Sequence, residues 1–377
     1  MHLKRYTASL LTALLLPLSL GTASAENTLT LTTAAPKVTI QTESSGPAVQ
    51  TAPSGFRHYL SGGAALPLPA LTLDTSEPFA PLDIDYRVKG KTLKLENLSE
   101  DGTTYRDDSI YAVTTTDYVE YDDFKGKGYT NCHIVRITIS DASQLRTGVS
   151  YDDYEGNRNV HARLLAESCN AVAAVNGDFF KNTLTRGYIF RQGVFYRNQA
   201  HKERDVLLID SEGDFHVIEK ADKDSIEAAF SALPEGVSPV NVINFGPALI
   251  ENGVVANLEE STVGTNEDKE DQFYYNYRNP RVAIVQLGHL QYALVECDAE
   301  KADGHSGMTL QTFAEYIADL FPDAVLAYNL DGGNSTNVLF PRLGWGSRGQ
   351  EIQFARIHNF PESRQICDIL YFASLVD

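Results

Sequence analysis

Two apolar runs of the chain end in polar, glycine-bearing turns that carry an aspartate. The first is Ala173-Ala174-Val175-Asn176-Gly177-Asp178, and the second is Tyr328-Asn329-Leu330-Asp331-Gly332-Gly333-Asn334-Ser335-Thr336. The physics of both is alike. A buried strand fixes the turn, glycine lets the backbone approach a ligand closely, and Asp or Asn is presented at the strand end. Asn-Gly-Asp on its own is also an ordinary turn sequence. The second turn is more specific, because two glycines, a carboxylate and the hydroxyls of Ser335 and Thr336 converge there.

Arginines stand near both turns. Arg186-Gly187 lies eight residues beyond Asp178, close enough to share its site. In Asn279-Pro280-Arg281-Val282-Ala283-Ile284, Pro280 presets the entry and Arg281 opens a strand that otherwise reads as buried. Such an arginine is either a solvated edge residue or an anion clamp. Arg204 and Arg364 are further phosphate-binding candidates, although loop arginines are commonly just solvated.

The elements that must position these residues are mainly short strands. Residues 133–139 have β-branched alternation, and strands follow at 171–175, 188–191, 194–196, 206–209, 215–218, 240–245 and 248–251. Gln192-Gly193 and Glu212-Gly213 mark hairpins, as does Gly288 between 281–287 and 290–297. Helices are expected at 160–169, at 225–233 before Pro234, and over the stripe Leu310, Phe313, Ala314, Ile317 and Phe321 before Pro322. Strands at 325–330 and 369–375 close the chain. The pattern predicts an α+β fold: one domain of mixed sheet with a few helices, spanning 83–377.

What precedes that domain differs in composition. Lys4 and Arg5, the apolar run from Leu10 to Leu20 and Ala23-Ser24-Ala25 read as a signal peptide over 1–25. The expected location is therefore secreted or in the cell envelope. Residues 26–80 are rich in Thr, Ala, Ser and Pro and read as a flexible tether. The mature chain has no further long apolar run, so no integral membrane segment is expected after signal cleavage. With 31 Lys+Arg against 50 Asp+Glu, a net charge of −19 argues against nucleic acid as a partner. The apolar fraction of 43% excludes a disordered chain. Cys132, Cys169, Cys297 and Cys367 contain no C-x-x-C pair, and their pairing is left open between bridges and free thiols.

These motifs, in this order, resemble the phosphodiester glycosidase domain, from about Tyr105 to Leu375. Asn176-Gly177-Asp178-Phe179-Phe180 is similar to the family's N-G-D/G-Y/F-F segment. Phe245-Gly246-Pro247-Ala248-Leu249-Ile250-Glu251-Asn252-Gly253 is similar to F-G-P-x-L-v-x-N-G. Asn279-Pro280-Arg281 resembles its x-P-R strand. Gly307-Met308-Thr309-Leu310 followed by Asn329-Leu330-Asp331-Gly332-Gly333 resembles G-M-T-L…N-L-D-G-G, and Glu362-Ser363-Arg364 the final E-R element. The chain departs from the family at Asn334, Val282 and Val285, and Asp298-Ala299-Glu300-Lys301 stands where D-G-R is usual.

The resemblance implies cleavage between a sugar's anomeric carbon and a phosphodiester oxygen, in a glycan or cell-surface polymer. It implies Asp331 and Asp178 as the catalytic carboxylates. Arg281, Arg364 and Arg186 would clamp the phosphodiester, and Asn176, Gly332, Gly333, Ser335 and Thr336 would complete the sugar site. The expected partner is a carbohydrate phosphodiester, with no metal and no cofactor. An inactive relative that binds phosphorylated glycans is the alternative. A metal-dependent phosphodiesterase using Asp178 and Asp331 is a second, disfavoured by the absence of a His/Asp cluster at two-metal spacing.

Overall fold

The computed structural model describes residues 49–51, 55–61, 66, 68–73, 78–154, 158–178, 187–199, 204–258, 275–299, 304–347, 349–357 and 364–377. Sheet makes up 46% of it, with three helices: α1 (Ala162–Ser168), α2 (Lys223–Ala232) and α3 (Leu310–Leu320). Among the described residues none of these is long and apolar enough to cross a membrane.

The strands form three sheets. The largest has ten strands and is centred on a hairpin of Ile110–Asp123 and Gly126–Ile139. Beyond it lie, in order, Gln291–Cys297, Arg281–Gly288, Leu326–Asn329, Ala248–Glu251 and Val254–Val255. A second sheet orders Phe215–Ile218, Val206–Asp210, Pro239–Ile243, Gly187–Arg191 and Val194–Gln199. The third orders Gly349–Arg356, Val338–Gly346, Ala171–Asn176, Asp368–Ala373 and Leu145–Val149. The expected mixed sheet is thus corrected to three sheets whose described strand pairings are all antiparallel. Tight turns join many neighbours directly, whereas parallel pairing needs long crossovers.

The apolar clusters define the layers. One face of the ten-stranded sheet (Val135, Val282, Ile284, Leu294, Leu330) packs on both smaller sheets through Val175, Leu207, Ile243 and Leu370. Its other face packs on Phe313, Tyr316 and Ile317 of α3. Helix α1 covers the outer face of the third sheet, and α2 that of the second. The order is therefore α3, large sheet, two small sheets, then α1 and α2. Strands in the middle are buried on both sides, which is why Ala171–Asn176 and Arg281–Gly288 read as apolar runs. Helix starts are set locally: Asp222 and Ser225 form a capping box for α2, and Thr309 caps α3.

The span read as a tether needs correction at residues 56–60 and 69–71. Arg57–Leu60 is a strand paired with Ile110–Asp123, and Phe56 and His58 are buried. His58 donates at both ends, Nδ1 to Asp117 Oδ2 (2.6 Å) and Nε2 to Asp319 Oδ2 (2.8 Å). Tyr316 of α3 donates its hydroxyl to the same Asp117 oxygen at 3.0 Å. Composition averaged over 26–80 hides this short patterned stretch. The signal peptide lies outside the described residues. All four cysteines are free and buried; only Cys132 and Cys297 face one another in strand register.

A chain beginning at Asp83 is therefore expected to melt well below one beginning at Glu26, and equal melting temperatures would show that Arg57–Leu60 stabilises nothing. The His58 contacts add a pH dependence. Burial alone would lower the imidazole pKa, but Asp117 and Asp319 outweigh it and raise it from 6.5 to about 9. A raised folded pKa stabilises fully below the unfolded value and is lost as pH climbs through the folded one, a contribution of about 3 kcal/mol at most. The melting-temperature gap between wild type and His58→Gln should be widest near pH 6 and narrow towards pH 9. A gap independent of pH would exclude an imidazolium.

Candidate functional site

The ends of strands from all three sheets meet at one place. Ala171–Asn176 runs into Asp178, Pro239–Ile243 into Asn244, and Leu326–Asn329 into Asp331. Arg191 closes Gly187–Arg191, and Asp368 opens the strand paired beside Asn176.

Asp178 is enclosed. Its Oδ2 accepts from Arg191 Nη2 at 2.6 Å and Asn244 Nδ2 at 3.2 Å, and its Oδ1 from the Asn244 amide at 2.7 Å. Arg191 also reaches Asp368 Oδ2 at 3.3 Å, and all three side chains are essentially inaccessible. Its Nη1 donates to the carbonyls of Phe190 and Val242. Burial would lower the Arg191 pKa, but Asp178 and Asp368 outweigh it and hold the guanidinium firmly protonated. One cation shared by two carboxylates leaves a deficit, and burial raises the Asp368 carboxyl well above its ordinary range. Gly177 is required by close approach, since a Cβ there would lie 2.7 Å from an Asp368 carboxylate oxygen.

Asp331 has a different environment. Burial pushes its pKa up to about 6, against the Ser335 hydroxyl and the charges of Arg364 and Arg204. The negative charge of Asp178 adds to the rise. Asp331 Oδ2 is buried without a hydrogen-bond partner and faces Arg364 Nη2 at 3.9 Å. Asn176 ties the two strand ends together: its Nδ2 donates to the Asp331 carbonyl at 2.8 Å, and its Oδ1 accepts from the Asn337 amide at 2.9 Å. Thr336 Oγ1 and Asn329 Oδ1 are also buried without hydrogen-bond partners.

The structure thus brings Asp178, Asn176, Asp331, Ser335, Thr336 and Arg364 together. Arg364 Nε donates to Ser335 Oγ at 2.9 Å, and its side chain remains 38% accessible. Arg186 lies outside the described residues. Arg281 has its Cα beside this turn, 3.8 Å from where a Gly332 Cβ would sit, but its side chain takes the other face of the large sheet. It shares the α3-facing side of its strand with Ala283 and Val285, and donates to the carbonyls of Met308 (3.1 Å) and Tyr277 (2.7 Å). Burial lowers its pKa to about 10, and the groups opposing that fall are Cys297 and Tyr275, not the aspartates. Gly332 also has a backbone reason: a Cβ there would lie 2.7 Å from the Pro280 carbonyl oxygen. Gly333, with φ +59°, faces open space.

Sequence reasoning missed Arg191, Asn244, Asp368 and Glu296. A charged residue inside an apolar run was the available signal for Arg191 after Tyr188-Ile189-Phe190 and for Asp368 before Ile369-Leu370. Glu296 is fully buried on the large sheet, where its Oε2 accepts from the Val338 amide at 3.0 Å and braces the chain beyond Thr336. Arg204 Nη1 donates to the Phe245 carbonyl at 3.1 Å, beside the turn that contains Asn244. Among the described residues no three His, Cys, Asp or Glu side chains are grouped to hold a metal ion.

The family model described as phosphodiester glycosidase matches residues 169–372, which contain every residue of this cluster. Among solved structures, the chain is similar to the zebrafish N-acetylglucosamine-1-phosphodiester alpha-N-acetylglucosaminidase catalytic domain, auto-inhibited by its pro-peptide. The TM-score is 0.52 at 16% identity, over 80% of this chain and 96% of that one. A Synechocystis protein described as hypothetical is similar with TM-score 0.44 at 15% identity, over 68% of this chain and 61% of that one. No curated protein matches the chain. At such identities the structural likeness concerns the fold.

The Asp331 carboxyl and the Arg191 guanidinium should respond oppositely to removal of their charge. A carboxyl whose folded pKa is raised opposes folding once it ionises, and the penalty vanishes as pH falls below its unfolded value. Asp331→Asn should therefore melt at or above wild type at pH 7.5, with the advantage shrinking towards pH 4. Arg191→Met strands two buried carboxylates and should cost about 3–5 kcal/mol in denaturant unfolding. A strongly destabilised Asp331→Asn at pH 7.5 would contradict the environment described for Asp331.

Proposed function

The chain belongs to the phosphodiester glycosidase family, and from that premise we propose that it hydrolyses the bond between a sugar's anomeric carbon and a phosphodiester oxygen in a glycan or cell-surface polymer. The single observation that carries this reading is Asp331: a buried carboxylate with one unbonded oxygen, 3.9 Å from a partly accessible arginine. Glycosyl transfer to water through an oxocarbenium-like transition state needs a carboxylate free to act, and the phosphodiester needs a cation.

Asp331 takes the acting role because Asp178 has its charge committed to Arg191 and Asn244. With a pKa of about 6, Asp331 is mainly ionised at neutral pH and can activate water or attack the anomeric carbon. A phosphodiester is a weakly basic leaving group, so protonation of the departing oxygen is not demanding. Arg364 is the primary phosphodiester clamp, with Arg204 as a second positive charge nearby. Thr336 Oγ1 and Asn329 Oδ1 are the buried polar atoms available to sugar hydroxyls. Asp178, Arg191 and Asp368 hold the strand ends in register. Export fits this substrate class: Lys4, Arg5 and the following apolar run would deliver the enzyme to cell-surface polymers.

The test is release of reducing sugar from a panel of sugar-1-phosphodiesters. Turnover should fall through a limb near pH 6 as Asp331 protonates. Asp331→Asn should lose about 10²–10⁴-fold in kcat, whereas Arg364→Met should mainly raise KM. Wild-type turnover by Asp331→Asn would remove Asp331 from the chemistry, and no sugar release across the panel would sink the hydrolase reading.

A further inference from the structure

Of the four arginines buried among the described residues, three have at least two hydrogen-bond acceptors. Arg146 donates to the carbonyls of Ser143, Asp83, Asp85 and Val88. Arg191 meets two carboxylates, and Arg281 two carbonyls. Arg136 is 6% exposed, yet its one hydrogen bond runs from Nη1 to the Pro69 carbonyl. Its Nε has no acceptor, and among the described residues no ion pair reaches it. An uncompensated buried cation is costly, so the fold retains here a charge that invites an anion.

Arg136 also borders a cavity of about 240 Å³, enclosed by residues 68–71, the 136–138 stretch of the large sheet and the end of α3. The other walls are largely apolar, including Leu68, Leu71, Leu287, Leu320 and Phe321. The strap above it is held by Arg136 and by Thr138, whose hydroxyl donates to the Leu71 carbonyl at 3.1 Å. Asp323 is also part of the lining, but it is solvent-exposed and forms no ion pair with Arg136. The cavity lies on the α3 side of the large sheet. None of the site's carboxylates contributes to it.

We propose that this cavity binds a small amphipathic anion, an aliphatic carboxylate whose charged end meets Arg136 and whose chain lies on Leu71, Leu287, Leu320 and Phe321. The size is consistent. An apolar cavity of about 150 Å³ holds benzene, so this one suits a ligand of roughly ten non-hydrogen atoms, the size of octanoate. Chemistry selects the class: an apolar molecule alone leaves the guanidinium without its anion, and a bare inorganic ion leaves the walls uncovered.

The test is calorimetric titration of the full-length protein with octanoate, with octanol and acetate as probes lacking charge or chain. Octanoate should bind at least tenfold more tightly than either. Arg136→Gln should lose at least tenfold in octanoate affinity while binding octanol as before. Leu287→Trp, which fills the cavity and keeps the arginine, should abolish octanoate binding. The inference is overturned if octanoate does not bind wild type, if octanol binds as tightly, or if Arg136→Gln keeps full affinity. Should Arg136→Gln fail to fold, Leu287→Trp decides, and unchanged octanoate affinity in that variant equally overturns it.

Discussion

Burial of like charges where the sheets meet is the constraint on which the rest of the arrangement depends. Asp178, Asp331 and Asp368 are all withdrawn from water at neighbouring strand ends. Desolvation of a carboxylate costs several kcal/mol unless a cation or several donors meet it. The fold answers with Arg191 at the end of the second sheet, set between two aspartates of the third. That pair joins strand ends of the two smaller sheets. Carboxamides extend the joint: Asn244 to Asp178, Asn176 to the Asp331 backbone, and Asn329 Nδ2 to the Gly246 carbonyl at 2.8 Å. Amides suit this task because they donate and accept without adding charge.

Much of this was legible in the sequence, because a strand buried on both faces has a plain signature. The apolar runs before Asp178 and Asp331 marked where the chain leaves the core, and the polar turns marked what it presents there. The identity of each aspartate's partner was not legible. Asp178 and Asp331 stand in similar contexts, yet Asp178 receives three hydrogen bonds from Arg191 and Asn244 while Asp331 keeps an oxygen unbonded. That difference comes from residues 13, 66 and 33 positions away in the chain: Arg191 and Asn244 from Asp178, Arg364 from Asp331.

The facing of the Arg281 side chain and the N-terminal strand escaped the sequence for one reason: local sequence does not say what stands opposite. Strand alternation places Arg281 on the same face as Ala283 and Val285, but which face points to the site depends on the third dimension. In the fold that face belongs to α3, where the carbonyls of Met308 and Tyr277 accept its protons. Likewise Phe56 and His58 read as isolated residues in a Thr- and Ser-rich stretch. Their significance depends on Asp117 and Asp319, which belong to the large sheet and α3. A residue-averaged composition cannot register a contact that spans 261 positions.

The large sheet thereby separates two electrostatic solutions. On the side of the smaller sheets, carboxylates outnumber the arginine that joins them, and burial, with the charge of Asp178 added, raises the proton affinity of Asp368 and Asp331. On the α3 side stand the buried arginines Arg136 and Arg281, and burial depresses both. Arg281 has found backbone carbonyls, whereas Arg136 has one carbonyl and a cavity. Ten strands of paired backbone lie between the two sides, so neither imbalance can be relieved by the other. Each must be met locally, by a proton, a carbonyl or a molecule from outside. The unbonded oxygen of Asp331 and the bare Nε of Arg136 are among the buried polar atoms that the protein's own groups do not meet.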